Sequence, residues 1–242
     1  MRSRPLHLTT DHQPAAEPGK TVALHRRWIL CFSSLLTTRS RSCCPVGRGK
    51  WVQESFQLGG VIEDDCLDEE RRREESSPFE VLLVAQSAEP VVATGGLRVI
   101  PDVTLDTCPP LDILVVPGGW GTRKEISNQR LLTWISERAK QVATLTSVCT
   151  GAMLLGQAGL LDGRRATTHW RSLDRMRQSF PGVTVEDKVH VVEDGHVLTS
   201  AGISAGIDMA LRVVARCFGE AVGRATARHM EYPFPDDNRR RV

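Results

Sequence analysis

Apolar residues are scattered over the first third of the chain and gather into short, nearly continuous runs from residue 79 onward. Phe79-Glu80-Val81-Leu82-Leu83-Val84-Ala85 is one run and Leu111-Asp112-Ile113-Leu114-Val115-Val116 another. Gln141-Val142-Ala143-Thr144-Leu145-Thr146-Ser147-Val148 comes after them. Aliphatic and β-branched runs of this length, without strict polar alternation, predict strands buried on both faces, the habit of a parallel sheet. Over residues 128–139 the period changes, and Leu131, Leu132, Ile135 and Ala139 fall on one helical face. A helix there supplies the crossover that two parallel strands need.

The pattern continues to the end of the chain. Residues 152–158 predict a helix closed by Gly159, and Asp162-Gly163 turns into 164–169. Segments 189–192 and 197–200 flank Asp194-Gly195, a hairpin turn. Residues 206–218 predict an amphipathic helix with Ile207, Leu211, Val214 and Ala215 on its buried side. The fold class is therefore α/β: a doubly wound, mostly parallel sheet with helices on both faces.

Charge divides the chain. The whole carries only +2, which argues against a dedicated nucleic-acid binder. Residues 1–50 nevertheless sum to about +7 and residues 51–80 to about −7, leaving the remainder near neutral. Residues 1–75 thus read as a poorly defined basic, then acidic segment, 76–235 as the folded domain and 236–242 as a basic tail. The opening is Ser/Thr-rich and acid-poor around Trp28-Ile29-Leu30-Cys31-Phe32. It reads as an organellar targeting peptide or as an extension outside the functional fold. No apolar run reaches the roughly eighteen residues of a membrane span. Seven cysteines at irregular spacing, without C-x-x-C, exclude a zinc ribbon or thioredoxin motif and favour a reduced, cytoplasmic setting. Neither metal nor cofactor is expected.

In open α/β sheets, ligands sit at the carboxyl ends of the strands, and two segments fall there. Pro117-Gly118-Gly119-Trp120-Gly121-Thr122-Arg123 comes directly after the second run, and its glycines let backbone N–H groups aim at an anion or a developing oxyanion. Ser147-Val148-Cys149-Thr150-Gly151 runs a strand directly into a helix with Cys149 at the junction, the geometry of a nucleophile elbow. The helix N-terminus is expected to favour the thiolate and lower the Cys149 pKa; the competing reading is a buried structural cysteine. His169 is the histidine placed after a strand on the same side of the sheet. His190 and His196 read as a surface pair on the hairpin, His229 as a surface or dimer contact, and Cys108 and Cys217 as filler.

These residues together resemble the ThiJ/PfpI superfamily of class I glutamine amidotransferase-like proteins. The resemblance rests on residues 111–119, on Ser147-Val148-Cys149-Thr150-Gly151, and on Ala158-Gly159-Leu160-Leu161-Asp162-Gly163-Arg164-Arg165-Ala166-Thr167-Thr168-His169-Trp170. Residues 199–208 and 228–232 extend it. Within the superfamily the chain resembles the isonitrile hydratase branch and the sensor domains of AraC-type regulators. The resemblance implies a flavodoxin-like, homodimeric protein with Cys149 as nucleophile and Thr150 as a further catalytic residue, to which the position of His169 adds that histidine as a catalytic candidate. Gly118, Gly119, Thr150 and Trp120 would bind the oxyanion or substrate. The protease-like branch places a histidine base after the cysteine; Thr150 stands there instead, so that dyad is not expected.

The front departs from the family pattern of strand, Pro-Gly turn and an acid close to the cysteine. Val22-Ala23-Leu24 or residues 28–32 serve as candidates for the strand, and Phe56-Gln57-Leu58-Gly59-Gly60 echoes the turn. Glu54, Glu63 and Asp64 are candidates for the acid. The function implied by the resemblance is a cysteine-dependent hydratase acting on a small molecule, converting an isonitrile to an N-substituted formamide. Glyoxalase or deglycase-like activity on 2-oxoaldehydes and a non-catalytic ligand or redox sensor are the alternatives. A DNA-binding regulator is disfavoured, because only Arg239-Arg240-Arg241 stands where a helix-turn-helix pair would be attached.

Overall fold

In the computed structural model of the chain, the described residues are 79–93, 96–234 and 236–241, with the backbone of 26–31. The strands in chain order are β1 (Arg26–Cys31), β2 (Phe79–Ala85), β3 (Val91–Val92), β4 (Arg98–Val99), β5 (Val103–Thr104) and β6 (Ile113–Val116). They continue with β7 (Thr144–Val148), β8 (Arg165–Ala166), β9 (Thr184–Val185), β10 (Val191–Asp194) and β11 (Val197–Ser200). The helices are α1 (Thr122–Glu125), α2 (Gln129–Ala139), α3 (Gly151–Gln157), α4 (Leu173–Ser179), α5 (Ala205–Phe218) and α6 (Glu220–His229).

A seven-stranded sheet has the order β10-β11-β7-β6-β1-β2-β5. β10 and β11 are antiparallel, and the other neighbours are parallel. β1 lies in the middle, with Trp28 opposite both Val81 and Ile113. The chain moves from it through β2 to the β5 edge and then resumes at β6 on the other flank. The strand order therefore reverses between β1 and β6, where a doubly wound sheet opens its ligand crevice. The expected strand at 28–32 is thus found at Arg26–Cys31, inside the segment set apart by charge, and it belongs to the sheet.

Period-two alternation sorts β6 between two cores. Ile113 and Val115 pack with Met209, Leu211, Val213 and Val214 of α5. Leu114 and Val116 face the opposite layer, with Leu131 and Ile135 of α2 and Met153 and Leu155 of α3. Truncating one of the larger of these buried side chains (Leu, Ile or Met) to Ala costs about 2–5 kcal/mol. α2 starts where Asn128 accepts from the Leu131 amide at 3.2 Å, a side-chain cap of the usual kind. Of the predicted face of α5, Leu211 and Val214 are buried but Ile207 and Ala215 only half-buried, while Asp208, Met209, Ala210 and Val213 are buried as well. α6, which no apolar period announced, packs on α5 through Gly223.

Residues 236–241, expected as a basic tail, are docked. Val189 bridges Arg239 in antiparallel fashion, and the Asn238 carboxamide closes both the amide and the carbonyl of Val191. His190, expected on the surface, is only 5% exposed. Its Nδ1 lies 2.7 Å from Asp208 Oδ2, and the Arg241 guanidinium donates to the same carboxylate. The docked C-terminal segment is what covers it, a long-range contact that hairpin periodicity could not contain. Tyr232 donates to Asp208 Oδ1 at 2.7 Å. Burial, then the Asp208 hydrogen bond and charge, push its phenol up to about 12.

Candidate active site around Cys149

β6 and β7 end side by side, and the turns that leave them interlock. A Cβ on Gly151 would sit 2.1 Å from the Val116 carbonyl oxygen. One on Gly118 would meet Cys149 Cβ, Thr150 N and Val148 O at 2.7 Å. Only glycine admits that approach, so the spacing of the two motifs reflects backbone contact. Cys149 itself takes the left-handed conformation at φ 55°, a strain of roughly 1–3 kcal/mol for a non-glycine residue. Its amide is held by the carbonyls of Ser200 and Ala201, and its carbonyl accepts from the Thr168 hydroxyl at 2.8 Å.

Thr150 latches the two turns together. Its Oγ1 accepts from the Gly119 amide at 2.9 Å and donates to the Gly119 carbonyl at 3.1 Å. The Thr122 hydroxyl lies 2.8 Å from Gly119 O and 3.0 Å from Thr150 Oγ1, placed to donate to either. The Gly119 N–H, expected to serve an oxyanion, is thus engaged by the Thr150 side chain. The groups that favour a Cys149 thiolate are instead the amides of Thr150 and Ile203, the Thr150 hydroxyl and the Arg123 charge. Ile203 reaches this position at φ 32°.

The expected fall in the Cys149 pKa is not found. Burial outweighs these donors and pushes the thiol up. The helix-terminus argument counted favourable dipoles without the cost of desolvating a thiolate; α3, with only seven residues, does not reverse it. Cys108, also buried, is raised for the same reason, against the opposing charge of Arg138.

His169 stands on the same edge. The Cβ that Gly202 lacks would lie 2.6 Å from His169 Cδ2, so the imidazole rests against the backbone next to Ile203. Its Nδ1 accepts from the Arg171 amide at 3.2 Å, and its ring stacks on Trp170. Burial, then the charges of Arg171 and Arg240, hold it below its ordinary value. Among the described residues no hydrogen bond joins it to Cys149; Thr168, whose hydroxyl holds the Cys149 carbonyl, and the Ala201–Gly202 backbone, whose Ala201 carbonyl holds the Cys149 amide, lie between them. Trp120, predicted to bind substrate, is 62% exposed with the Arg123 guanidinium 4.0 Å from its ring centroid.

Arg240 reaches the site from the far end of the chain. It donates to the Thr168 carbonyl, the Thr167 hydroxyl and the Asp187 carbonyl. Sequence pattern alone does not single out Thr122, Arg123, Thr168, Ile203 or Arg240. Thr122 and Arg123 close the glycine motif and Thr168 precedes His169, but their contacts, like those of Ile203 and Arg240, depend on tertiary register. Glu54, Glu63, Asp64 and residues 56–60 lie outside the described residues, as do Cys43, Cys44 and Cys66. Among the described residues no group of three His, Cys, Asp or Glu side chains is placed to hold a metal. No helix among them is long and apolar enough to cross a membrane.

Comparison with known proteins agrees with the geometry. The profile of the DJ-1/PfpI family matches residues 70–216. An isonitrile hydratase of Pseudomonas putida is 40% identical over 157 residues, 64% of this chain and 68% of that protein. The HTH-type transcriptional regulator GbdR of Pseudomonas aeruginosa is 33% identical over 142 residues, 59% of this chain and 38% of the regulator. A crystal structure of a THiJ/PfpI family protein from Pseudomonas syringae superposes with a TM-score of 0.68 at 26% identity, covering 93% of this chain and 84% of that one.

Proposed function

The chain belongs to the DJ-1/PfpI family, and within it we propose a cysteine-dependent hydratase that adds water to an isonitrile to give an N-substituted formamide. The observation that carries this reading is Cys149 at φ 55°, followed by Thr150 instead of a histidine base, in a chain 40% identical to an isonitrile hydratase.

A thiol that stays protonated suits this chemistry. The isonitrile carbon is itself nucleophilic and needs a proton before it can accept sulfur. The Cys149 thiol would supply both, its proton going to that carbon as the carbon–sulfur bond forms, to give a thioimidate. Water then adds to the thioimidate carbon, the nitrogen takes up a proton, and the carbon–sulfur bond breaks to release the formamide and regenerate the thiol. The Thr150 and Ile203 amides would hold the sulfur as charge develops on it. His169, kept neutral by burial and its arginine neighbours and accepting from the Arg171 amide at Nδ1, carries its proton on Nε2 and is suited to donate a hydrogen bond from there to the nitrogen of the thioimidate.

Formamide formation from an alkyl isonitrile, followed by NMR in the wild type and in Cys149→Ala, tests the reading. Turnover that survives Cys149→Ala would remove it. A 2-oxoaldehyde in the same assay addresses the other substrate class open to a nucleophilic cysteine. The likeness to GbdR favours a second reading, a ligand-sensing domain. Saturable ligand binding without turnover would support it.

A further inference from the structure

Arg123 differs from the arginines that are held in ion pairs. Arg130, Arg164, Arg177, Arg212 and Arg224 are each within ion-pair distance of a carboxylate. Arg123 has no such partner among the described residues, and its guanidinium lies 4.0 Å from the centroid of the exposed Trp120 ring. Stacking on an aromatic face uses the flat side of a guanidinium and leaves its in-plane N–H fork free, the edge that meets a carboxylate in bidentate fashion. The root of this side chain is fixed to the elbow. Arg123 follows Thr122, whose hydroxyl is placed to donate to Gly119 or to Thr150, and the Arg123 amide donates to the Trp120 carbonyl at 3.3 Å. Its charge also acts on the Cys149 sulfur.

We propose that Arg123, braced on Trp120, is a carboxylate-binding element at the mouth of the Cys149 site, and that the substrate is a small molecule carrying an anionic group beside its reactive carbon. This rests on the hydratase reading only for the identity of the reactive group: under that reading the substrate is a carboxylate-bearing isonitrile. Trp120 has two roles in it. It holds the guanidinium in one orientation, and its remaining exposed surface offers an apolar wall to the body of the substrate. Arg171 and Trp170 form a similar stack beside His169, with 4.8 Å between the guanidinium carbon and the ring centroid. Arg171, unlike Arg123, is not among the charges that act on the Cys149 thiol.

Paired alkylating agents of nearly equal size test the proposal without needing turnover. The full chain is treated with iodoacetate, which is anionic, or iodoacetamide, which is neutral, and labelling of the Cys149 peptide is timed by mass spectrometry. The iodoacetate-to-iodoacetamide rate ratio at Cys149 is expected to exceed that of free cysteine in the same buffer. It is expected to fall roughly three- to tenfold in Arg123→Gln, the scale of one charge-assisted contact in water. Arg123→Lys keeps the charge and should retain part of the preference, while Arg175→Gln, at an exposed arginine on α4, leaves it unchanged. A ratio that is the same in wild type and Arg123→Gln overturns the proposal. Turnover of neutral isonitriles alone, unaltered by Arg123→Gln, overturns it as well and leaves the hydratase reading intact. A clear anion preference in a protein that converts no isonitrile would do the reverse.

Discussion

The Thr168 hydroxyl donates to the Cys149 carbonyl at 2.8 Å, so the residue before His169 holds the backbone of the strained cysteine. Thr168 is fully buried, and replacing it with Val keeps the volume while leaving that carbonyl without this donor. Thr168→Val is expected to cost roughly 1–3 kcal/mol in urea unfolding and to slow Cys149 alkylation. Thr168→Ser should preserve both. A Val variant as stable and as reactive as wild type would mean that the contact has no structural role.

Gly151→Ala places a methyl group against the Val116 carbonyl, where only 2.1 Å is available. Because the obstacle is backbone, relief requires moving β6 away from α3. The variant is expected to lose several kcal/mol, beyond the range of about 1–3 kcal/mol usual for overpacking in a core, and to unfold at markedly lower temperature. Gly163→Ala serves as the comparison: nothing lies within 4 Å of its Cβ, although its φ of 72° still carries strain. Equal thermal shifts in the two variants would contradict the interlocked turns.

The pH profile of Cys149 alkylation should rise with a midpoint above the ordinary thiol value of roughly 8.5, since burial raises this thiol more than its donors lower it. The native pKa then lies above that of the unfolded chain. Burial of the neutral thiol leaves the fold at full stability below the ordinary value, and stability falls as pH rises from there through the native pKa. A midpoint below that of free cysteine would show a thiolate-primed elbow and contradict the dominance of desolvation.

Tyr232 is the only tyrosine in the chain, so absorbance of tyrosinate reports on it alone. Its phenol is raised from 10.0 to about 12 by burial and by Asp208. In the folded protein little tyrosinate signal is expected at pH 10 to 11, and ionisation should come near pH 12 or with unfolding. Asp208→Asn removes the negative charge and should bring the midpoint down. A folded wild type that titrates near 10 would mean that the Tyr232–Asp208 contact is absent in solution.

The parts of this structure legible in the sequence are those set by local pattern. The runs that became β2, β6 and β7, the helical period of α2 and the hairpin around Gly195 are each contained in a few neighbouring residues. Cys149 and the glycine motif were legible because strand-to-helix junctions carry a compact signature. The place of β1 was not: an apolar run suggests a strand, but only its pairing with both β2 and β6 makes it central. The burial of His190 and Asp208 was hidden because it depends on residues 236–241 packing across β10. The direction of the Cys149 shift is hidden for another reason, since desolvation is a property of the assembled site.

The docked segment 236–241 places the site in series with residues far from it. Arg240 grips Thr167 and Thr168, and Thr168 grips Cys149. Cleavage of the peptide bond ahead of Arg240 would cut this linkage without approaching the thiol. It would also free the Asp208 carboxylate from Arg241. The integrity of the chain's last few residues is thereby coupled to the backbone of a cysteine that none of them touches.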